Sequence, residues 1–213
     1  MNKLRRVVMI EWSLINSIES ETGMARPKSE DKRNAILAAA TQVIAGQGLG
    51  APTARIAKVA GVAEGTLFTY FENKDELLNE LYLNIKSDMR EMMMAAYPKT
   101  ESIQNRARHV WHKYVDWGVA HPQKRRAMAQ LTVSDRLTEQ TRAAGMQAFA
   151  DVNTMMQASI ASGVLRDHPT AFVAAIMGAL AETTMDFMER DTARAERYRD
   201  AGFEAFWRAV AKT

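Results

Sequence analysis

The chain is 213 residues long, carries 28 Lys and Arg against 25 Asp and Glu for a formal net charge of +3, and has no cysteine. That length can bury a substantial core, and the missing cysteine excludes disulfides and thiolate metal sites and points to a reducing, cytoplasmic setting. No apolar run is read as reaching the ~20 residues of a membrane helix, and a net charge this small does not by itself call for nucleic acid.

In chain order, Lys3, Arg5 and Arg6 precede Val-Val-Met-Ile in the manner of a secretion signal, but Glu11 interrupts the stretch and no small-residue cleavage site follows. Residues 1–23 are therefore expected to be a disordered N-terminal extension, with Met24 as the true start. Ser29 is expected to cap a first helix, whose opening acids Glu30 and Asp31 suit a positive helix end. Ile36, Leu37, Ala40, Val43 and Ile44 form its apolar stripe, and Gly46 to Gly50 end it.

The run from Thr53 to Phe71 is the most informative segment. It reads as two short helices hinged at Gly61, where a sharp turn needs positive φ. Ile56, Ala57 and Ala60 give the first a small apolar inner face, Val62 fills the angle, and Ala63 to Tyr70 forms the second. Such a layout predicts a helix-turn-helix whose second helix enters the major groove. Pro52 suits a first helical position. Asn73, with Glu76 three residues on, reads as a capping box opening a long helix to about Ala96, which Pro98 stops. Further helices are expected over 101–119, 122–131, 134–164, 169–189 and 192–212, so the fold class is all-α.

Ile56-Ala57, Ala60-Gly61-Val62, Gly65-Thr66-Leu67-Phe68, Tyr70-Phe71 and Lys74 to Leu77 together resemble the DNA-binding domain of the TetR family. Where that family usually carries a Thr two residues before Thr53, this chain has Ala51, so a capping side chain is missing there. Segments Met24 to Lys32, Trp117 to Pro122, Leu180 to Phe187 and Gly202 to Ala209 are similar to RamR-type multidrug-responsive repressors of enteric bacteria. The resemblance implies a helix-turn-helix domain over 24–72 and a helical ligand-binding and dimerisation domain over 73–213. The helix from Asn73 would link them as a lever.

The resemblance places Ala63, Glu64, Gly65, Thr66, Phe68, Thr69 and Tyr70 against DNA. Thr66 and Tyr70 hydroxyls suit phosphate, Glu64 a cytosine amino group, and Thr69 a base edge or a thymine methyl. Lys74 adds charge at a helix start, Arg55, Lys58 and Thr53 address the backbone, and Arg26 and Lys28 reach along a neighbouring groove. Leu67 and Phe71 are expected to be core. Dimerisation on the last two helices would present two readers to a near-palindromic operator, with Ala175, Ile176, Leu180, Phe203, Phe206 and Val210 as seam.

Trp111, Tyr114 and Trp117 recur at three-residue spacing in a methionine-rich half of the chain, a surface suited to flat or amphipathic ligands. Tyr82 and Trp111 occupy positions that line the pocket in the RamR-type relatives, and Tyr114, Ser159 and Met177 join them as expected ligand contacts. The resemblance implies a repressor released by drugs or bile-like compounds and controlling an efflux-related activator, with no cofactor and no metal. Two alternatives stay open. One is a constitutive DNA-binding regulator without a ligand. The other is an enzyme built on His109 and His112 or on Glu182 and Asp186, although no third metal ligand, Ser-His-Asp set or phosphate loop accompanies them.

Overall fold

The computed structural model describes residues 25–212, and side chains from Ser29 onward. The expected extension 1–23 and the side chains of Arg26 and Lys28 lie outside the described residues. Helix α1 runs Ala25–Gln47, so it starts ahead of the expected cap at Ser29. Pro27 is compatible with that start, because an N–H in the first turn has no intrahelical partner to lose. The helix passes through Gly46 and stops where Gly48 adopts φ +84°.

Helix α2 (Thr53–Ala60) ends at Gly61 in the left-handed region, φ 70° and ψ 28°. The Val62 N–H returns to the Ala57 carbonyl at 3.0 Å, closing the turn and aiming the chain into α3 (Glu64–Tyr70). Pro52 is the N-cap of α2 rather than its first residue, and no side chain caps that end. Helix α4 (Lys74–Met94) starts as expected, with Asn73 Oδ1 accepting from the Glu76 N–H at 2.9 Å. The Glu76 carboxylate takes the N–H of Glu72 instead of that of the cap residue. The helix stops two residues short of Ala96, which sits at φ 53°.

Helices α5 (Ile103–Ala120) and α6 (Pro122–Thr132) share His121 as their junction, with Pro122 at the opening of α6. The single helix expected over 134–164 is instead a turn and two helices, α7 (Glu139–Gln147) and α8 (Ala150–Ala161). Thr138 accepts from the Thr141 N–H and restarts the chain there, and Ala148-Phe149 breaks it again. Helix α9 (Thr170–Arg190), a 3-10 turn (Thr192–Arg194) and α10 (Ala195–Val210) complete the molecule. Among the described residues the only β feature is an isolated bridge between Leu165 and Ala211.

Two apolar clusters hold these helices. One runs from Ile36 through Ile56, Leu67, Leu77, Leu81 and Ile85 to Leu131, so it crosses from the helix-turn-helix into α4, α5 and α6 without a seam at residue 73. The second joins Trp111 and Val115 of α5 to Val173 and Met185 of α9 and Phe203, Phe206 and Val210 of α10. Those last three were expected at a dimer seam. They are buried in this chain, because α10 packs them into this cluster, where the Trp111 ring stacks on Phe206 at 5.7 Å.

Helix α9 corrects another expectation, since its 21 residues are long and apolar enough to cross a membrane by length and composition alone. Buried core helices share that composition. Its inner face packs in the second cluster. Its outer face leaves Phe172 53% and Phe187 46% exposed.

Candidate nucleic-acid interface and sensor region

Helix α3 is fixed by what it buries. Leu67 is fully inaccessible and Phe71, at its C-cap, nearly so. Ala63, Glu64, Gly65, Phe68 and Thr69 project to solvent, while Thr66 and Tyr70 are half-buried at the flanks. Small residues at 63 and 65 let a groove wall approach the backbone closely. Phe68 leaves 43% of its surface in water, an apolar group of the kind that meets a thymine methyl.

The polar residues around α3 are partly committed to one another. Thr53 donates to Glu64 Oε1 at 2.6 Å, tying the first turn of α2 to the first turn of α3. Thr69 Oγ1 donates back to the Gly65 carbonyl at 3.2 Å. Lys74 donates to the Ala51 carbonyl at 2.6 Å and so fastens α4 to the start of α2. Burial pushes its ammonium below the usual lysine range, and the Arg136 charge adds to that shift. Lys74 thus performs a structural task that its sequence position did not announce. Arg55 and Lys58 are exposed on α2.

Two struts mount this unit on the rest of the chain. Arg33 of α1 pairs with Glu80 of α4 and lies over the Phe71 ring, 5.5 Å from its centroid. Gln130 of α6 donates to the Ile44 carbonyl of α1 at 3.0 Å. In turn α6 is tied to α9 by Arg125, which lies within 3.5 Å of Glu182, Asp186 and Glu189 carboxylates. Burial raises the Glu182 carboxyl above its ordinary value, and its acidic neighbours reinforce this against Arg125.

The expected ligand contacts do not gather around one space. Trp111 is fully buried, stacked on Phe206, with its indole N–H donating to the Arg199 carbonyl at 3.0 Å. Tyr82 belongs to the other cluster, and a Cβ at Gly145 would come within 2.5 Å of its ring. Lys86 stands over that ring at 5.7 Å, and burial holds the Tyr82 hydroxyl above and the Lys86 ammonium below their usual ranges. Tyr114 and Met177 lie between the clusters and touch both, and burial pushes the Tyr114 hydroxyl up to about 12. Ser159 borders a cavity of about 430 Å³ between the α4–α5 connection and α8. His109 and His112 address different neighbours, His109 lying edge-on to Tyr97 and His112 3.1 Å from Asp200.

A buried anchor, an αL hinge and an exposed small-residue helix define a helix-turn-helix DNA-binding unit on an all-helical body. Residues 36–81 match the family model for bacterial regulatory proteins of the tetR family. A curated relative, the uncharacterised HTH-type transcriptional regulator YhgD of Bacillus subtilis, is 27% identical over 135 residues, 63% of this chain; the chain spans 65% of that relative's length. A Shewanella sp. PV-4 structure assigned to the same family superposes with a TM-score of 0.78 at 27% identity, over 85% of this chain and 99% of that one. A Marinobacter aquaeolei VT8 TetR-family regulator shares the fold at a TM-score of 0.82 and 21% identity, over 88% and 100%. Residues 36–81 thus carry the helix-turn-helix segment of tetR-family regulators, on a fold that the whole chain shares with solved structures assigned to that family.

Proposed function

We propose that the protein is a ligand-responsive repressor that binds a near-palindromic operator as a dimer and releases it when a small amphipathic or aromatic compound binds. Regulators of this family bind DNA operators, typically as dimers, and are not enzymes. The observation that carries the DNA-binding part is the outward face of α3, with Leu67 and Phe71 anchoring it and Ala63, Gly65, Phe68 and Thr69 left uncovered. In this reading Thr66 and Tyr70 address phosphates, Arg55 and Lys58 support them from α2, and residues 24–72 form the reader. Arg26 and Lys28 extend it along the DNA. The outer face of α9, with Phe172, Ala175, Ala179 and Phe187 in line at helical spacing, supports dimerisation through a bundle with its mate.

Ligand response is supported by the continuous core from reader to α4, because a displacement at the far end of that helix has no linker to absorb it. A ligand acts only by binding one arrangement better than the other, and about 1–3 kcal/mol of such preference is typical. Control of an efflux-related activator, with drugs and bile-like compounds as inducers, rests on the likeness to RamR-type regulators alone, as does a cytoplasmic location on that to the wider family. One observation favours the rival reading of a constitutive regulator: Trp111 and Tyr82 are packed against their own chain rather than facing a void.

Gel shift of the purified protein against its own upstream intergenic DNA, with and without candidate inducers, tests the proposal. Retardation relieved by an inducer upholds it, retardation that no amphipathic compound relieves supports the constitutive regulator, and no retardation at all refutes both.

A further inference from the structure

Outside the reader, the chain holds a cavity of about 430 Å³ where α4 ends, α5 begins and α8 passes alongside. That volume lies within the range of small-molecule sites, roughly 300–1,000 Å³. Met94, Ile103 and Met155 supply an apolar wall, from α4, α5 and α8 respectively. Lys99 and Arg106 supply charge at the rim, and neither makes an ion pair among the described residues. The one acid of the lining, Asp151, accepts from Arg90 at 2.9 Å and is already neutralised. The surplus in the cavity is therefore positive.

Arg106 is held in place by Tyr97, over whose ring it lies at 5.5 Å. Its Nε–H donates to the Tyr97 hydroxyl at 2.9 Å, which leaves both terminal amino groups of the fork for an incoming oxyanion. The Tyr97 hydroxyl in turn points at the Met155 sulfur, 2.8 Å away. His109, one turn from Arg106 on α5, packs edge-on to Tyr97, and its buried Nε2 has no hydrogen-bond partner.

The connection is also strained at a telling place. Ala96, immediately before Tyr97, occupies the left-handed region at φ 53°, a conformation that an L side chain resists. It sits at the foot of the helix whose head carries the reader.

We propose that this cavity binds an apolar small molecule bearing one carboxylate, with the oxyanion on Arg106 and Lys99 and the hydrocarbon body against Met94, Ile103 and Met155. This places the effector of the ligand-responsive reading, on which the regulatory half of the proposal rests, at the foot of α4 rather than at Trp111 and Tyr82. Binding there bears on Tyr97 and on the strained Ala96 link. The arrangement of α4 that the ligand prefers is then the one populated.

Calorimetric titration of the full chain with decanoate, and with decyltrimethylammonium as a probe of the same tail and opposite charge, tests the site. Wild type is expected to take up decanoate and to ignore the ammonium. The Arg106→Gln/Lys99→Gln double variant is expected to bind decanoate at least roughly tenfold more weakly, as loss of charge-assisted contacts implies. Lys99→Gln alone, at an exposed position, is expected to give part of that loss. Decanoate binding that is absent, that is unchanged in the double variant, or that the ammonium matches would overturn the site. Operator gel shift separates the two readings: binding that needs both cations yet leaves retardation unchanged upholds the site and removes the ligand-released repressor.

Discussion

Helices α3 and α9 both turn aromatic rings to solvent, yet they do so in opposite surroundings. On α3, Phe68 stands among Ala63, Gly65, Thr69 and the nearby cations of α2, and one buried leucine anchors seven residues. On α9, Phe172 and Phe187 bracket Ala175 and Ala179 on a 21-residue helix whose other face is packed along its length at Val173, Ala181, Met185 and Met188. A short polar probe suits a hydrated polyanion, which is met by hydroxyls and close backbone approach. A long apolar stripe suits a dry, self-complementary seam.

The comparison can be broken most forcefully from the core beneath both. Trp111→Ala, which empties the space between α5 and α10, is expected to cost about 3–5 kcal/mol in urea unfolding. A markedly smaller loss would mean that the second cluster does not carry α9. Ala179→Glu, in the middle of the α9 face, is expected to give a monomer by sedimentation and to weaken operator binding at least roughly a hundredfold through lost avidity. A dimer of unchanged affinity would place the seam elsewhere.

Tyr70→Phe sharpens the α3 side. It is expected to weaken operator binding by about 1 kcal/mol per reader in a gel shift, while the melting temperature stays put. Lys74→Ala is the poorer probe, since removing the clasp on the Ala51 carbonyl disturbs folding as well. Ala96→Gly, which relieves the left-handed alanine, is expected to stabilise the chain by roughly 1 kcal/mol in the same urea assay.

The smallest effect concerns pH. Burial, helped by the Arg199 charge, holds the His112 imidazole below its ordinary value, although Asp200 opposes the shift. Folding therefore favours the neutral ring. The associated stability is complete above about pH 6.5 and is lost as pH falls through the lower folded value. Between pH 7.5 and 5, wild type should lose more melting temperature than His112→Asn, and equal losses would refute it.

Much of the reader was legible because its signals are local. Gly61 needs only its neighbours to demand positive φ, Asn73 caps within three residues, and Leu67 and Phe71 fall four apart on the buried side. Failures came where burial depends on partners distant in sequence. Phe203, Phe206 and Val210 show a clean helical stripe, but periodicity alone does not say whether the surface that covers them is α5 of the same chain or a second copy. The break at Ala148-Phe149 carries no glycine or proline to mark it. Arg106 and Met155 stand 49 positions apart in the chain and line one cavity, which therefore has no sequence signature.

The double mounting of α1 has a mechanical consequence. Arg33 hangs it from α4 and Gln130 from α6, and α6 is bolted through Arg125 to the helix with the apolar outer face. An object slung from two legs resists twisting about either one, so a shift in one leg alone changes its pitch. A pull on α9 and a push on the foot of α4 would then reach α1 through these two legs, the same lever worked from opposite ends.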